Sequence, residues 1–214
     1  VQSDREEARN LALNSDAVIF CGGYSNQTEG EGFDREFSMP AEQEELLLDL
    51  AEQNASIAVV ITAGGNVDMR SWIDRVSAVL FAWYPGQEGG TAIAEILSGV
   101  VNPSGKLPAT FERAPEDRSS HTCYHDPDWD KRVLLADGVF TGYRHHDRTG
   151  VAPLFPFGHG LSYTSFRYEN LDVQEAADAD GSVNVALDVV NTGERAGTEV
   201  VQVYVRDCDA SVPR

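Results

Sequence analysis

Three apolar runs, each closed by a glycine-bearing loop, constrain this chain more than any other feature. They are "DAVIFCGG" at 16–23, "ASIAVVITAGG" at 55–65 and "SAVLFAWYPG" at 77–86. Short apolar runs without polar alternation fit strands buried on both faces, the usual condition in a parallel sheet. Between and around them lie helix-length segments. Residues 1–14 read as a mixed-charge helix. "PAEQEELLLDLAEQN" opens on Pro40 and sets Leu46, Leu47 and Leu50 on one helical face. "EGGTAIAEILSGV" is a helix whose small residues let it lie close to a sheet, and "GKLPATF" reads as a fourth short strand. Strands alternating with helices predict an α/β class fold, a layered α/β sandwich with a mostly parallel sheet, over residues 1–111.

The character changes near residue 112. Residues 112–135 are polar and rich in turn formers, too long for an ordinary connection, and we take 112–163 as a long connecting segment that packs on the sandwich. From residue 164 the pattern becomes period two. "RYENLDVQEA", "GSVNVALDVVNTG" and "GTEVVQVYVRD" alternate apolar and polar residues between glycine turns, as strands of an antiparallel sandwich do. Three strands cannot close such a sandwich, so 164–214 reads as a truncated β domain and the chain as a piece of something longer.

Charge narrows the ligand class. The chain carries 16 basic and 35 acidic residues among 214, a formal net charge of -19. A phosphate backbone would be repelled, so nucleic acid is excluded as a partner, and an anionic membrane surface is disfavoured on the same ground. A neutral ligand such as a sugar meets no such barrier. Cys21, Cys123 and Cys208 are too few and too scattered for a disulfide framework or a zinc set, and Cys21 in its apolar run reads as a small core residue. No segment approaches the roughly 18 apolar residues that a membrane span needs.

Ligands of open α/β sheets bind beyond the carboxyl ends of the strands, here the loops 22–35, 63–72 and 84–90. The first bears Glu29, Glu31 and Asp34, the second Asp68 and Arg70, the third Gln87 and Glu88. From composition alone, acidic loops of an acidic protein need no function. The glycines after the first strand spell neither G-x-G-x-x-G nor G-x-x-x-x-G-K-[ST], which speaks against a nucleotide site. No G-x-S-x-G elbow is present. His145 and His146, adjacent in "GYRHHDR", would face opposite ways in an extended segment, which suits a structural or exposed role rather than metal ligation. His159, between two glycines, is expected to make a turn hydrogen bond. Trp72 and Trp83 read as core; Trp129 could equally stack on a sugar.

Together these segments resemble glycoside hydrolase family 3. "EGEGFDRE" followed by "MPAEQEELLLDL", "VDMRSW", "AWYPGQEGGTAIAEILSGVVNPSGKLPATF", "GVFTGYRHHD" and "PLFPFGHGLSYTSFRY" are similar to the second domain of its β-glucosidase type, with the start of a fibronectin type III-like domain behind it. The resemblance implies a retaining β-glycosidase acting on a β-linked glucoside or related oligosaccharide. Its nucleophile, an aspartate, and most sugar-holding groups would come from an N-terminal (β/α)8 barrel that these residues lack. It also implies no cofactor, no metal, frequent export to the periplasm or the outside of the cell, and room for a homo-oligomer. The general acid/base of the nearest branch is the glutamate before Gly-aromatic-Asp-Arg, here Glu31, with Phe33 flanking the leaving-group side. Glu29, two residues away, and Glu88, in "PGQEGG", are the rivals. Asp34 and Arg35 are expected to form a local pair that shapes the loop. A non-catalytic carbohydrate-binding or structural module of the same fold is the alternative.

Overall fold

The computed structural model describes residues 2–123, 131–175 and 182–210. Its elements are α1 (Gln2–Leu13), β1 (Val18–Gly23), α2 (Ala41–Gln53), β2 (Ile57–Thr62), β3 (Ala78–Phe81), α3 (Gly89–Leu97), α4 (Tyr143–Thr149), β4 (Phe166–Glu175) and β5 (Val183–Asn191). The chain divides into two units, Val1–Gly90 with Thr110–Phe155, and Thr91–Ala109 with Pro156–Arg214.

In the first unit the three apolar runs form a parallel sheet in the order β1-β2-β3. The register sets Val18 beside Ile57 and Gly23 beside Thr62, then Ala58 beside Ala78 and Ile61 beside Phe81. The central strand is buried on both faces through Ile57, Val59, Val60 and Ile61, as a parallel strand with covered faces should be. Leu47 and Leu50 of α2, with Met39, Val67, Met69, Trp72 and Phe111, complete this core. The edge strand differs from its expected doubly buried state. Phe20 is buried, but Ile19 and Cys21 on the opposite face are exposed. Cys21 is therefore not a core residue; among the described residues β1 pairs with β2 alone, and Ile19 and Cys21 lie on its uncovered face.

The expected fourth strand does not form. Phe111 makes a single antiparallel bridge with Phe155, while Leu107 donates to the carbonyl of His159 at 2.8 Å within the second unit. Among the described residues no continuous ladder runs through 105–111. Two short 3₁₀ turns, Pro115–Asp117 and Ser119–Thr122, follow. The "GYRHHDR" segment is helical rather than extended: α4 runs from Gly142 to a left-handed Gly150 cap at φ 71°. His146 is buried with Nδ1 2.8 Å from the carbonyl oxygen of Val151, a structural role.

The second unit holds the β4–β5 ladder, antiparallel from Phe166–Asn191 to Glu175–Val183 with an irregularity between Glu169 and Asp172. Residues 197–207, expected as a third strand, pair with no other strand among the described residues. The β-patterned side chains therefore stay open: Leu171, Val173, Val185 and Val205 are all exposed. Asn102 gives this unit its anchor, donating to the Ala196 carbonyl at 2.9 Å and accepting from Ser162 Oγ and the Tyr163 N–H. His159 contributes through its backbone, its N–H reaching Pro156 O at 3.0 Å. No described helix is long and apolar enough to cross a membrane.

Candidate active site

The first loop leaves β1 through Gly22 and Gly23. Gly23 has φ +138°, and its N–H and carbonyl are clasped by the Gln43 side chain at 2.8 and 3.0 Å. Tyr24 then donates its N–H to Thr62 O at 3.0 Å and its buried hydroxyl to Ser38 O at 2.9 Å. Burial pushes the Tyr24 phenol up, with the nearby Arg35 guanidinium opposing. The Ser25–Thr28 turn follows, closed by the Thr28 and Glu29 N–H groups on Ser25 O.

Glu29 is the loop's fixed point. Its Oε1 meets Arg35 Nε at 3.1 Å, and its Oε2 accepts the Gly64 N–H at 3.1 Å and the Tyr84 hydroxyl. Partial burial and donation to this carboxylate both raise the Tyr84 phenol. Arg35 also donates through Nη2 to Asn66 O at 2.5 Å and through Nη1 to Glu36 O at 3.3 Å, and it lies 4.7 Å from the Tyr24 ring centre. Asn66 is held in turn by donating to the Glu112 carbonyl at 2.8 Å and its carboxylate at 3.1 Å. An ion pair of Arg35 with Glu29 thus holds the base of this loop.

Between those two residues the chain makes a tight reversal, Gly30 bridging Phe33. The Phe33 ring packs over Gly30 so closely that a Cβ there would stand 2.5 Å from it. Glu31 and Gly32 form the exposed tip. Among the described residues the Glu31 carboxyl makes no hydrogen bond or ion pair, in particular none with Arg35. Phe33 is half-exposed beside it. Glu88 is exposed directly ahead of α3. Asp68 in the second loop is taken by Arg70 at 2.9 and 2.6 Å, and those hydrogen bonds hold its carboxyl below the usual carboxylate range.

Trp72 is fully buried, as expected. Trp83 stacks edge-on against Phe81 and Phe111 at 4.8 and 6.0 Å, also a packing role. Trp129 lies outside the described residues. Among the described residues no group of three or more His, Cys, Asp or Glu could hold a metal. Sequence reasoning missed Tyr84, Asn66 and Gly64 as partners of the loop; their one signal was placement just after strands β2 and β3.

Chemically, the arrangement presents one unengaged carboxyl on a turn with a fixed base and an aromatic ring alongside. Residues 2–163 match the glycosyl hydrolase family 3 C-terminal domain. This chain belongs to glycosyl hydrolase family 3. Thermostable beta-glucosidase B of Acetivibrio thermocellus is 44% identical over 211 residues, covering 97% of this chain and 27% of that protein. A beta-glucosidase of Rhizobium radiobacter is 42% identical over 211 residues, covering 97% and 26%. The crystal structure of DesR, a beta-glucosidase from Streptomyces venezuelae in complex with D-glucose, superposes with TM-score 0.82 at 37% identity, covering 92% of this chain and 25% of that one. The family 3 chain described here thus spans about a quarter of the length of these relatives, and its α/β fold with a partial β domain agrees with theirs.

Proposed function

We propose that this chain is the part of a retaining β-glucosidase that supplies the general acid/base, Glu31, to an aspartate nucleophile on a (β/α)8 barrel outside these residues. The observation that carries the reading is the Glu31-Gly32-Phe33-Asp34-Arg35 motif at the tip of a clamped turn, with the Glu31 carboxyl uncommitted. The relatives named as β-glucosidases support the substrate class. In the same proposal, residues 1–111 are the family 3 sandwich, 112–163 the connecting segment packed on it, and 164–214 the start of a fibronectin type III-like domain.

Retention requires a nucleophilic carboxylate and a carboxylic acid about 5–5.5 Å apart on opposite sides of the scissile bond. Glu31 donates its proton to the glycosidic oxygen as the aspartate attacks the anomeric carbon. The aglycone leaves as the neutral alcohol, and the sugar stays as an ester of the aspartate. Glu31, now ionised, takes a proton from water, whose oxygen attacks the same carbon and releases the aspartate. To hold its proton near neutral pH before the first step, an acid must be buried or placed beside a negative charge. An exposed tip meets both conditions only when a second domain covers it. Phe33 then walls the leaving-group side.

Glu31→Ala in the intact enzyme is expected to lower kcat for substrates with poor leaving groups by about 10²–10⁴-fold. Azide, a small nucleophile needing no base, is expected to restore turnover of activated substrates and to yield the β-glucosyl azide. Unchanged turnover would refute the assignment and favour a non-catalytic module.

A further inference from the structure

One carboxylate ties together the loops that follow all three strands of the sheet. Glu29 itself comes after β1, the Gly64 N–H it accepts comes after β2, and the Tyr84 hydroxyl comes after β3. Its ion-pair partner repeats the pattern, since Arg35 reaches Asn66 O beyond β2 and lies over Tyr24 beyond β1. The Glu29 and Arg35 side chains are only 19% and 17% exposed, unlike an ordinary solvated surface pair, so their geometry is less screened and less free to wander. The two residues bracket the five-residue reversal that carries Glu31 at its tip, and the Gly30–Phe33 bridge narrows that reversal further.

From this geometry we infer that Glu29 is a positioning residue, whose ion pair with Arg35 sets where the Glu31 carboxyl stands. The inference rests on the acid/base reading of Glu31 given above. A proton donor on a glycine-flanked tip has no stiffness of its own, because the glycines on either side resist little rotation. Its placement must come from the base of the loop, and displacement of a reacting group by about 1 Å can cost on the order of 100-fold in rate. Glu29 cannot readily be the proton donor itself, since both its oxygens are filled by donors that the backbone or a second loop fixes.

The test uses the intact enzyme and a series of aryl and alkyl β-glucosides of graded leaving-group ability. Glu29→Gln is expected to lower kcat about 10–100-fold for poor leaving groups and far less for dinitrophenolate, since only the former need the acid well placed. The limb of the pH–rate profile that reports the acid should persist, and azide should give no rescue. Glu29→Gln/Arg35→Met should be no slower than the worse single variant, because both remove one ion pair. Tyr84→Phe, which deletes one donor and leaves the fold's charges intact, should show the same leaving-group signature at a few-fold size and serves if Glu29→Gln does not fold. A silent Glu29→Gln beside a crippled Glu31→Gln would overturn the positioning role alone. Equal losses across all leaving groups, in step with a lowered Tm, would also overturn it in favour of a purely structural part. Loss of the acid limb with azide rescue in Glu29→Gln, beside an active Glu31→Gln, would overturn both assignments by making Glu29 the acid.

Discussion

Gly23 stands where β1 gives way to the first loop, and a side chain there collides with backbone. A Cβ at this position would sit 2.0 Å from the carbonyl oxygen of Thr62, and the φ of +138° is itself one that L residues rarely adopt. Neither can relax without opening the β1–β2 register at Gly23–Thr62. Gly23→Ala is expected to cost about 1–3 kcal/mol, read from urea unfolding midpoints. Gly32, at the tip of the same loop, has open space where its Cβ would go. Gly32→Ala should change stability by less than about 0.5 kcal/mol in the same measurement. The "GG" after the apolar run announced a loop, but not that Gly23 is required where Gly32 at the tip is not. The Glu29–Arg35 pair was equally hidden. Side-chain pairs across several loops depend on where the strands deliver them, and a carboxylate six residues from its arginine has no distinguishing local pattern.

At the scale of elements, legibility followed the strength of the periodic signal. The long apolar run of β2 and the leucine face of α2 were readable because burial on two faces, or on one helical stripe, writes itself into composition. The edge strand β1 reads almost as apolar, yet Ile19 and Cys21 lie open; sequence alone does not tell an edge from a centre. α4 carries two histidines, two arginines and an aspartate over seven residues, and no apolar stripe marks it as a helix. The period-two segment at 197–207 fails for the opposite reason, since a clear pattern with no partner strand among the described residues makes no ladder. Between elements, Asn54 acts as a strap that no pattern signals. Its amide donates to Ala12 O at 2.8 Å and Ser15 O at 2.7 Å, while its oxygen accepts the Ser56 N–H at 2.7 Å. One side chain thereby joins the end of α1, the end of α2 and the start of β2. Asn54→Ala leaves all three partners to find water and should cost about 1–3 kcal/mol. Asn54→Asp keeps only the acceptor and should lose most of the same stability, so thermal melts of the two variants should nearly coincide.

At the scale of the whole molecule, a retaining glycosidase needs two carboxylates, a nucleophile and an acid/base. The mechanism proposed for Glu31 leaves the attack on the anomeric carbon to a residue elsewhere, and this chain spans about a quarter of its curated relatives. A proton donor alone lowers the barrier to departure of the aglycone but offers no covalent intermediate. Its contribution of about 10²–10⁴-fold is a small part of a glycosidase's acceleration. The 214 residues on their own should therefore show no turnover of 4-nitrophenyl β-glucoside above background, with or without azide. The intact Glu31→Ala enzyme should behave differently with a dinitrophenyl glucoside. That leaving group departs without acid help, so the first half-reaction proceeds, while the second stalls for lack of a base to activate water. Stopped-flow absorbance should then record a burst of dinitrophenolate equal to the enzyme concentration, followed by a slow steady state that azide accelerates. A burst identical to that of the unaltered enzyme, with an undiminished steady state, would mean that the base of the second step is some other group.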